Sequence, residues 1–151
     1  MRTACYLAAG LVVALASQAA AQTATGFARG EKSTADNHVG TVWLNELSAP
    51  DSTFQYSIAL ATFDKGARLD WHVHPGGQVL LFTAGVSYYQ ERGKPRRTVR
   101  QGEVIKCQPG VEHWHGATPT SGVAYLATTP AQKGKTIWLK RITAKEYAGG
   151  N

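Results

Sequence analysis

Cysteine is nearly absent from this sequence, whose 151 residues include only Cys5 and Cys107. Cys5 lies in an N-terminal segment that we expect to be removed, which would leave Cys107 as the single cysteine of the mature chain. No intrachain disulfide is then possible. Because Cys107 ends the strand-like run 104–107, we interpret it as a small buried side chain, with a nucleophile as the less favoured alternative.

A long hydrophobic run is also missing. The main apolar stretch, residues 6–16, follows Arg2, precedes three alanines at 19–21, and is too short to span a membrane. This pattern is typical of a secretory signal peptide over residues 1–21, cleaved before Gln22; a retained interfacial anchor is the alternative. We therefore expect a periplasmic or secreted protein that has no membrane contact after the signal is removed.

Signatures of nucleotide and nucleic-acid binding are lacking as well. The sequence contains no phosphate-cradling loop, flavin fingerprint or serine–histidine–aspartate order. The formal net charge is +6, and much of it comes from a basic run at residues 92–100. That run has no interleaved aromatic residues and surrounds Gly93 and Pro95, where we expect a hairpin turn. It is interpreted as a solvated loop, so no nucleic-acid partner is expected; attraction to anionic substrates or membrane surfaces is the alternative.

Short strand-like segments make up most of what is present. Residues 22–39 are small and polar and are interpreted as a leader or edge segment, before a domain at 40–142 and a C-terminal tail at 143–151. Strand-forming residues recur at 54–60, 68–74, 79–83, 86–90, 96–100, 104–107 and 123–129. Glycine and proline separate these runs, and no long helical period occurs. The pattern predicts an all-β fold, an antiparallel sandwich or barrel such as a jelly roll.

Four of the five histidines lie in two short clusters, Trp71–His74 and Glu112–His115. In extended backbone alternate side chains share a face, so the two histidines of each cluster project together. Imidazole suits first-row transition metals, and three or four such ligands leave room for water or substrate. The clusters therefore predict a divalent metal site, with a buried hydrogen-bonded histidine cluster as the alternative.

The spacing around these histidines resembles the two motifs of the cupin superfamily. The first motif is Gly66, five residues, His72, one residue, His74, three residues, Gln78, six residues and Gly85; the second runs from Gly102 through Gln108-Pro109-Gly110 to His113. The resemblance covers about residues 40–142 and implies an antiparallel jelly-roll β-barrel.

Longer runs at 71–80, 109–117 and 138–143 resemble one subgroup. It comprises small single-domain cupins related to carboxymuconolactone decarboxylase-associated cupins and to cupin-type hydroxynitrile (mandelonitrile) lyases. The resemblance implies reversible cleavage of a cyanohydrin into an aldehyde and cyanide. It also implies that manganese is bound by four residues: His72, His74, Gln78 and His113. Mixed nitrogen and oxygen ligation by itself suits iron, nickel or zinc as well, and these are the alternatives.

Gln78 stands where many cupins carry a glutamate. Four neutral ligands leave a divalent ion with a net charge near +2, roughly one unit more than with a glutamate, which makes it a stronger Lewis acid. Such an ion also favours anionic ligands. The alternative is that Gln78 holds a water molecule that takes its place on the metal.

Two further residues are candidates for proton transfer. His115 shares the face of His113 but lies two residues along, so we expect it beside the metal as an acid or base. Tyr125 is interpreted either as an ordinary core tyrosine or as a residue whose hydroxyl reaches the cavity; the resemblance places it where the lyases have a histidine. For both, an ordinary wall or core residue is the alternative. We expect the pocket to be narrowed by inward residues among Ile58, Leu80, Phe82 and Val123.

The same alternation sends Trp71 and Trp114 to the outer side of the predicted sheet. An exposed aromatic patch usually marks an interface, so we predict a homodimer, with packing under a terminal segment as the alternative.

Three functions are compatible with the sequence. The first is a metal-dependent enzyme that acts on a small oxygenated substrate by Lewis-acid and proton-transfer chemistry, in its sharpest form a carbon–carbon lyase. The second is a metal-dependent dioxygenase. The third is a non-enzymatic periplasmic module that binds a small ligand through the metal.

Overall fold

A computed structural model describes residues 26–149, whose regular secondary structure is almost entirely antiparallel sheet. The predicted signal peptide lies outside the described residues. Within this range no helix has the length and apolarity needed to span a membrane. The elements are β1 Glu31–Lys32, β2 His38–Val39, β3 Val42–Ser48, β4 Tyr56–Phe63, β5 Arg68–Leu69, β6 His72–Val73, β7 Gln78–Glu91, β8 Arg97–Arg100, β9 Val104–Cys107, β10 His113–Ala117, β11 Val123–Pro130, β12 Ile137–Trp138 and the short helix α1 Ala144–Tyr147.

The strands pair in the order β1-β3-β4-β11-β7-β10-β5-β2, with β8 and β9 on β7, and with β6 joining β10 to β12. Strand β7 links the two layers of the fold. Its first half pairs with β9 and β11, and its second half pairs with β8 and β10. The sheet therefore curls on itself, and the predicted all-β jelly roll is confirmed.

A glycine marks the point where β7 crosses between the layers. Gly85 has a φ of +75°, and a Cβ there would lie 2.0 Å from the carbonyl oxygen of Gly122. Only glycine fits this close approach of two backbones. The sequence runs 79–83 and 86–90 are therefore one long strand with a bend, not two strands.

The main core lies between the curled layers. Side chains of β4, β7 and β11 alternate into it, and Phe63, Leu80 and Tyr125 are at most 1% exposed. Cys107 belongs to the same cluster, and burial raises the pKa of its thiol to about 12. The interpretation of Cys107 as a buried structural residue is thus confirmed.

A second, smaller core lies on the outer side of the sheet under the C-terminal segment 136–149. Trp71 and Trp114 are 2% and 0% exposed, and they pack with Ile142 and Tyr147. The two tryptophans do point outward as predicted, but they form no exposed patch; the alternative, packing under a terminal segment, is confirmed. The tryptophans therefore no longer support a homodimer. The homodimer stays a prediction, and light scattering on protein that begins at residue 22 tests it.

Charged residues surround this second core, and some of them join the C-terminal segment to the sheet. The Arg92 guanidinium lies 3.6 Å from the centroid of the Trp71 ring and bonds Glu112 at 2.9 Å. The buried carboxylate of Asp70 accepts from the Ile142 amide at 3.2 Å and from Arg141 Nε at 3.3 Å. The basic run does contain the expected turn, but Arg92 is used in packing and is not simply solvated.

Candidate metal centre

The two histidine clusters meet because β6 and β10 pair with each other. His72 lies directly opposite His113 in this antiparallel pair, and their ring centroids are 4.4 Å apart. His74 lies just past the end of β6, in the turn before β7, and its ring is 5.1 Å from that of His72. The ligand atoms of the three histidines all lie within 4.8 Å of one another.

Backbone carbonyls fix the direction of two of these imidazoles. His72 Nδ1 donates to the Asp70 carbonyl at 2.8 Å, and His113 Nδ1 donates to the Val111 carbonyl at 2.9 Å. Because a carbonyl only accepts, each Nδ1 carries the hydrogen and each Nε2 keeps a free lone pair. This arrangement of a fixed Nδ1–H and a free Nε2 is the usual one for metal-binding histidines.

The third histidine and Gln78 are held by threonines. His74 Nδ1 lies 3.2 Å from Thr136 Oγ1, at the start of the C-terminal segment. The Gln78 amide nitrogen donates to Thr129 Oγ1 at 2.9 Å, so its carbonyl oxygen points away from that threonine. Gln78 lines the same cavity as His72 and His74, as the sequence predicted.

Unpaired polar atoms test whether the site fits a metal. Within residues 26–149, the buried atoms without a hydrogen-bond partner include His74 Nε2, His113 Nε2 and Gln78 Oε1. A buried acceptor left without a partner costs roughly 1–3 kcal/mol, so several on one wall would be expensive unless something binds them. Nitrogen and oxygen lone pairs converging in this way fit a divalent transition metal.

Burial keeps the imidazoles in the neutral form that a metal requires. Desolvation, assisted by the neighbouring His113, lowers the pKa of His72 well below its usual value and that of His74 to about 4. Desolvation also lowers the pKa of His113 itself. At neutral pH the three rings therefore present lone pairs and not N–H⁺ groups.

His115 stands beside this group but is bonded differently. Its ring lies 5.1 Å from that of His72, and its Nδ1 is 2.9 Å from the hydroxyl oxygen of Tyr125. Tyr125 packs between Phe63 and Phe82, with ring centroids 5.4 and 5.2 Å away. Tyr125 is thus a core residue whose hydroxyl also contacts a histidine of the site. The two interpretations, a core tyrosine and a tyrosine at the cavity, do not exclude each other.

The cavity in front of these residues has a volume of about 200 Å³. Its apolar wall comes largely from β3 and β4, and among the described residues no aspartate, glutamate, lysine or arginine lines it. Four residues were predicted to narrow the pocket, namely Ile58, Leu80, Phe82 and Val123. None of them lines the cavity. Ala59, Ala61 and Phe63 face the cavity instead, so Ile58 on the same strand faces the other way.

Sequence reasoning also missed residues at the rim of the cavity. Trp138 packs against His72 in a tilted arrangement with a centroid distance of 4.9 Å. The fifth histidine, His38, also lines the cavity, and its ring nitrogens are each 3.1 Å from a partner, Gly40 O and Ser33 Oγ. Trp138 and Thr136 come from the C-terminal segment, and His38 comes from the stretch interpreted as a leader. The run that begins at Trp138 contributed to the family resemblance, but no local signal assigned these residues to the site, since only the fold brings their segments there.

Known proteins resemble this chain in sequence and in structure. The family model for the Cupin domain matches residues 59–129. An (R)-mandelonitrile lyase from Granulicella tundricola is 39% identical over 118 residues, covering 77% of this chain and 89% of that protein. A cupin-like protein from Thermotoga maritima has a TM-score of 0.77 at 40% identity, covering 80% of this chain and 92% of the other. A cupin 2 conserved barrel domain protein from Rhodopseudomonas palustris shares the fold at 18% identity, with a TM-score of 0.62 and coverage of 78% and 79%.

Proposed function

The chain belongs to the cupin family, and we propose that it is a metal-dependent lyase that cleaves a small uncharged cyanohydrin into an aldehyde and cyanide. The observation that carries this proposal is a set of neutral, buried and unpaired donor atoms at the wall of an uncharged cavity. The relative named (R)-mandelonitrile lyase supports the choice of substrate class.

The proposed ligands are His72, His74, Gln78 and His113, and the proposed ion is manganese, with iron, nickel and zinc as alternatives. When bound, the ion supplies Lewis-acid polarisation of a substrate oxygen or nitrile. The protein's part is to hold four neutral donors in fixed directions through Asp70 O, Val111 O and the hydroxyls of Thr136 and Thr129. These contacts remove the conformational freedom that each ligand would otherwise lose on binding.

The cavity wall selects for uncharged substrates. Ala59, Ala61 and Phe63 offer an apolar surface to the substituent of the substrate, while the polar donors lie at one end. Within the part of the chain that the structure describes, no lysine or arginine lines the cavity to pair with a carboxylate. The lining therefore favours a neutral aldehyde or cyanohydrin over a dicarboxylic acid.

His115 and Tyr125 are the proposed proton-handling pair. Cyanohydrin cleavage removes a hydroxyl proton and delivers a proton to cyanide, so the site needs a group that exchanges protons near the substrate. His115 lines the cavity, and its Nε2 is buried without a partner among the described residues. Its Nδ1 is held by Tyr125, which keeps the ring in one orientation.

A single assay tests the proposed reaction. Untagged protein beginning at residue 22 is loaded with manganese and mixed with mandelonitrile, and benzaldehyde is followed by its absorbance. We expect release above that of the metal-free protein and of a His113→Ala variant. Full manganese occupancy with no release would contradict the lyase. Oxygen uptake on a diketone or flavonol would then point to a dioxygenase, and no turnover on a broad panel would point to ligand binding.

A further inference from the structure

The contact between Tyr125 and His115 has a defined geometry inside the protein. The hydroxyl oxygen of Tyr125 lies 2.9 Å from His115 Nδ1, and the two residues are 1% and 2% exposed. Over residues 26–149 the structure gives Tyr125 no second hydrogen-bond partner. The other ring nitrogen, His115 Nε2, has none either, although its residue lines the cavity.

Two hydrogen positions are compatible with this distance. In the first, the Tyr125 hydroxyl donates to Nδ1, and the imidazole hydrogen is on Nε2, beside the cavity. In the second, Nδ1–H donates to the Tyr125 oxygen, and the tyrosine's own hydrogen is then buried with no acceptor. The second arrangement leaves a stranded donor in the core, where a lost hydrogen bond costs roughly 1–3 kcal/mol.

The first arrangement leaves only one group unpaired, Nε2–H, and it belongs to a residue that lines the cavity. It requires a neutral imidazole and a protonated phenol. The surroundings of His115 favour the neutral ring: its neighbours include the rings of His72 at 5.1 Å and His113 at 5.7 Å, and no carboxylate from residues 26–149 lines the cavity to stabilise an imidazolium. Burial also holds the pKa of Tyr125 well above its usual value.

We propose that Tyr125 is a positioning residue that fixes His115 as the Nε2–H tautomer, so that the resting site offers its ligand a hydrogen-bond donor. The ligand atom that accepts this bond is an aldehyde or alkoxide oxygen, or a nitrile nitrogen. His115 then acts first as a donor. Nε2 accepts a proton only after its hydrogen moves and the bond from Tyr125 breaks. The identity of the ligand rests on the proposed function, whereas the hydrogen position does not.

Nitrogen NMR reads the tautomer directly. The mature protein is labelled with ¹⁵N-histidine and loaded with zinc(II), which is diamagnetic, and long-range proton–nitrogen correlations are recorded. We expect His115 to carry its hydrogen on Nε2 and none on Nδ1. In Tyr125→Phe the donor to Nδ1 is lost, and we expect the single tautomer to become a mixture.

Tyr89→Phe is the matched control. It removes another buried tyrosine hydroxyl, one that donates to Glu91 at 3.2 Å. The Tyr89 ring lies 5.7 Å from that of His113, but among the described residues its hydroxyl makes no hydrogen bond to a histidine. We expect the His115 signals to be unchanged in this variant. If Tyr125→Phe does not fold, the wild-type spectrum alone decides the hydrogen position.

Two results would overturn the proposal. A hydrogen on Nδ1 in the wild type would show that His115 donates to Tyr125. An Nε2 that is bare and shifts when zinc is added would show that His115 is itself a metal ligand. Because the spectrum needs no turnover, an Nε2–H tautomer in a protein that fails to cleave mandelonitrile would refute the lyase and leave the tautomer standing.

Discussion

The two sides of β10 are equally buried but differ in whether their polar atoms are satisfied. On the outer side, Trp114 is 0% exposed, and its indole nitrogen donates to Gln90 Oε1 at 3.0 Å. On the inner side, His113 is also 0% exposed, yet its Nε2 has no partner within residues 26–149, and neither has that of His115. One side is complete within the chain, and the other is complete only with a ligand. Burial alone therefore does not separate structure from function. On β10 the difference is that two unpaired ring nitrogens lie on the inner side, whereas a single unpaired atom such as Trp71 Nε1 also occurs in the outer core.

The largest effect is expected when a metal ligand on the inner side is removed. In His113→Ala we expect bound metal to fall from a full equivalent to a trace, because the site loses one of its three imidazoles. Plasma mass spectrometry after dialysis measures the metal, and circular dichroism checks that the variant still folds. A folded variant with undiminished metal would show that the inner side is not the metal site.

The matching change on the outer side is Trp114→Ala. We expect a loss of about 3–5 kcal/mol in the free energy of unfolding, because a large buried ring is replaced by a cavity. Urea titration of the metal-free protein measures this loss. The folded variant should keep its full metal content. Loss of metal as complete as in His113→Ala would mean that the two sides are not separable.

The side of β10 on which each residue lies could be predicted from the sequence, but what covers the outer side could not. Alternation along an extended strand assigns His113 and Trp114 to opposite sides, and the motif spacing singled out His72 and His74 as well. The ladder pairing of His72 with His113 is what brings these residues together. Alternation could not show what covers Trp114, because the cover comes from Ile142 and other residues distant in sequence.

The cavity wall was missed for a different reason. In β4 both sets of alternate residues are apolar, so the pattern could not tell whether Ile58 or Ala59 faces inward. The bond between Tyr125 and His115 was also beyond reach, since it depends on how β11 lies across the barrel from β10. Such contacts between strands that are not adjacent follow from the closed fold and not from local sequence.

A smaller effect is expected from the residues that hold the ligands. In Thr129→Val the Gln78 amide loses the hydroxyl that it donates to at 2.9 Å, so its carbonyl oxygen is no longer fixed. We expect the metal affinity to fall roughly tenfold. Thr128→Val is the matched control, because the side chain of Thr128 does not line the site cavity. Competition with a fluorescent chelator measures both, and equal affinities would contradict the role given to Thr129.

The smallest expected effect concerns the outer side at low pH. Burial raises the pKa of Glu146, but hydrogen bonds from Lys140 and Thr143 outweigh it and lower this pKa from 4.5 to about 2. A carboxyl with a depressed folded pKa adds stability that is fully present above its unfolded pKa and lost as the pH falls through the folded one. We therefore expect wild type to exceed Glu146→Gln in unfolding free energy above pH 4.5, and the difference to vanish toward pH 2. Urea titrations across this range test it, and a constant difference would contradict it.

The most direct test of the inner side is anomalous diffraction from crystals of the purified protein, at the absorption edge of the metal that it contains. We predict one strong peak per chain, in contact with His72 Nε2, His74 Nε2, His113 Nε2 and Gln78 Oε1. A peak elsewhere, or no peak from protein grown with added manganese, iron, nickel and zinc, would contradict the metal centre on which the proposed function rests.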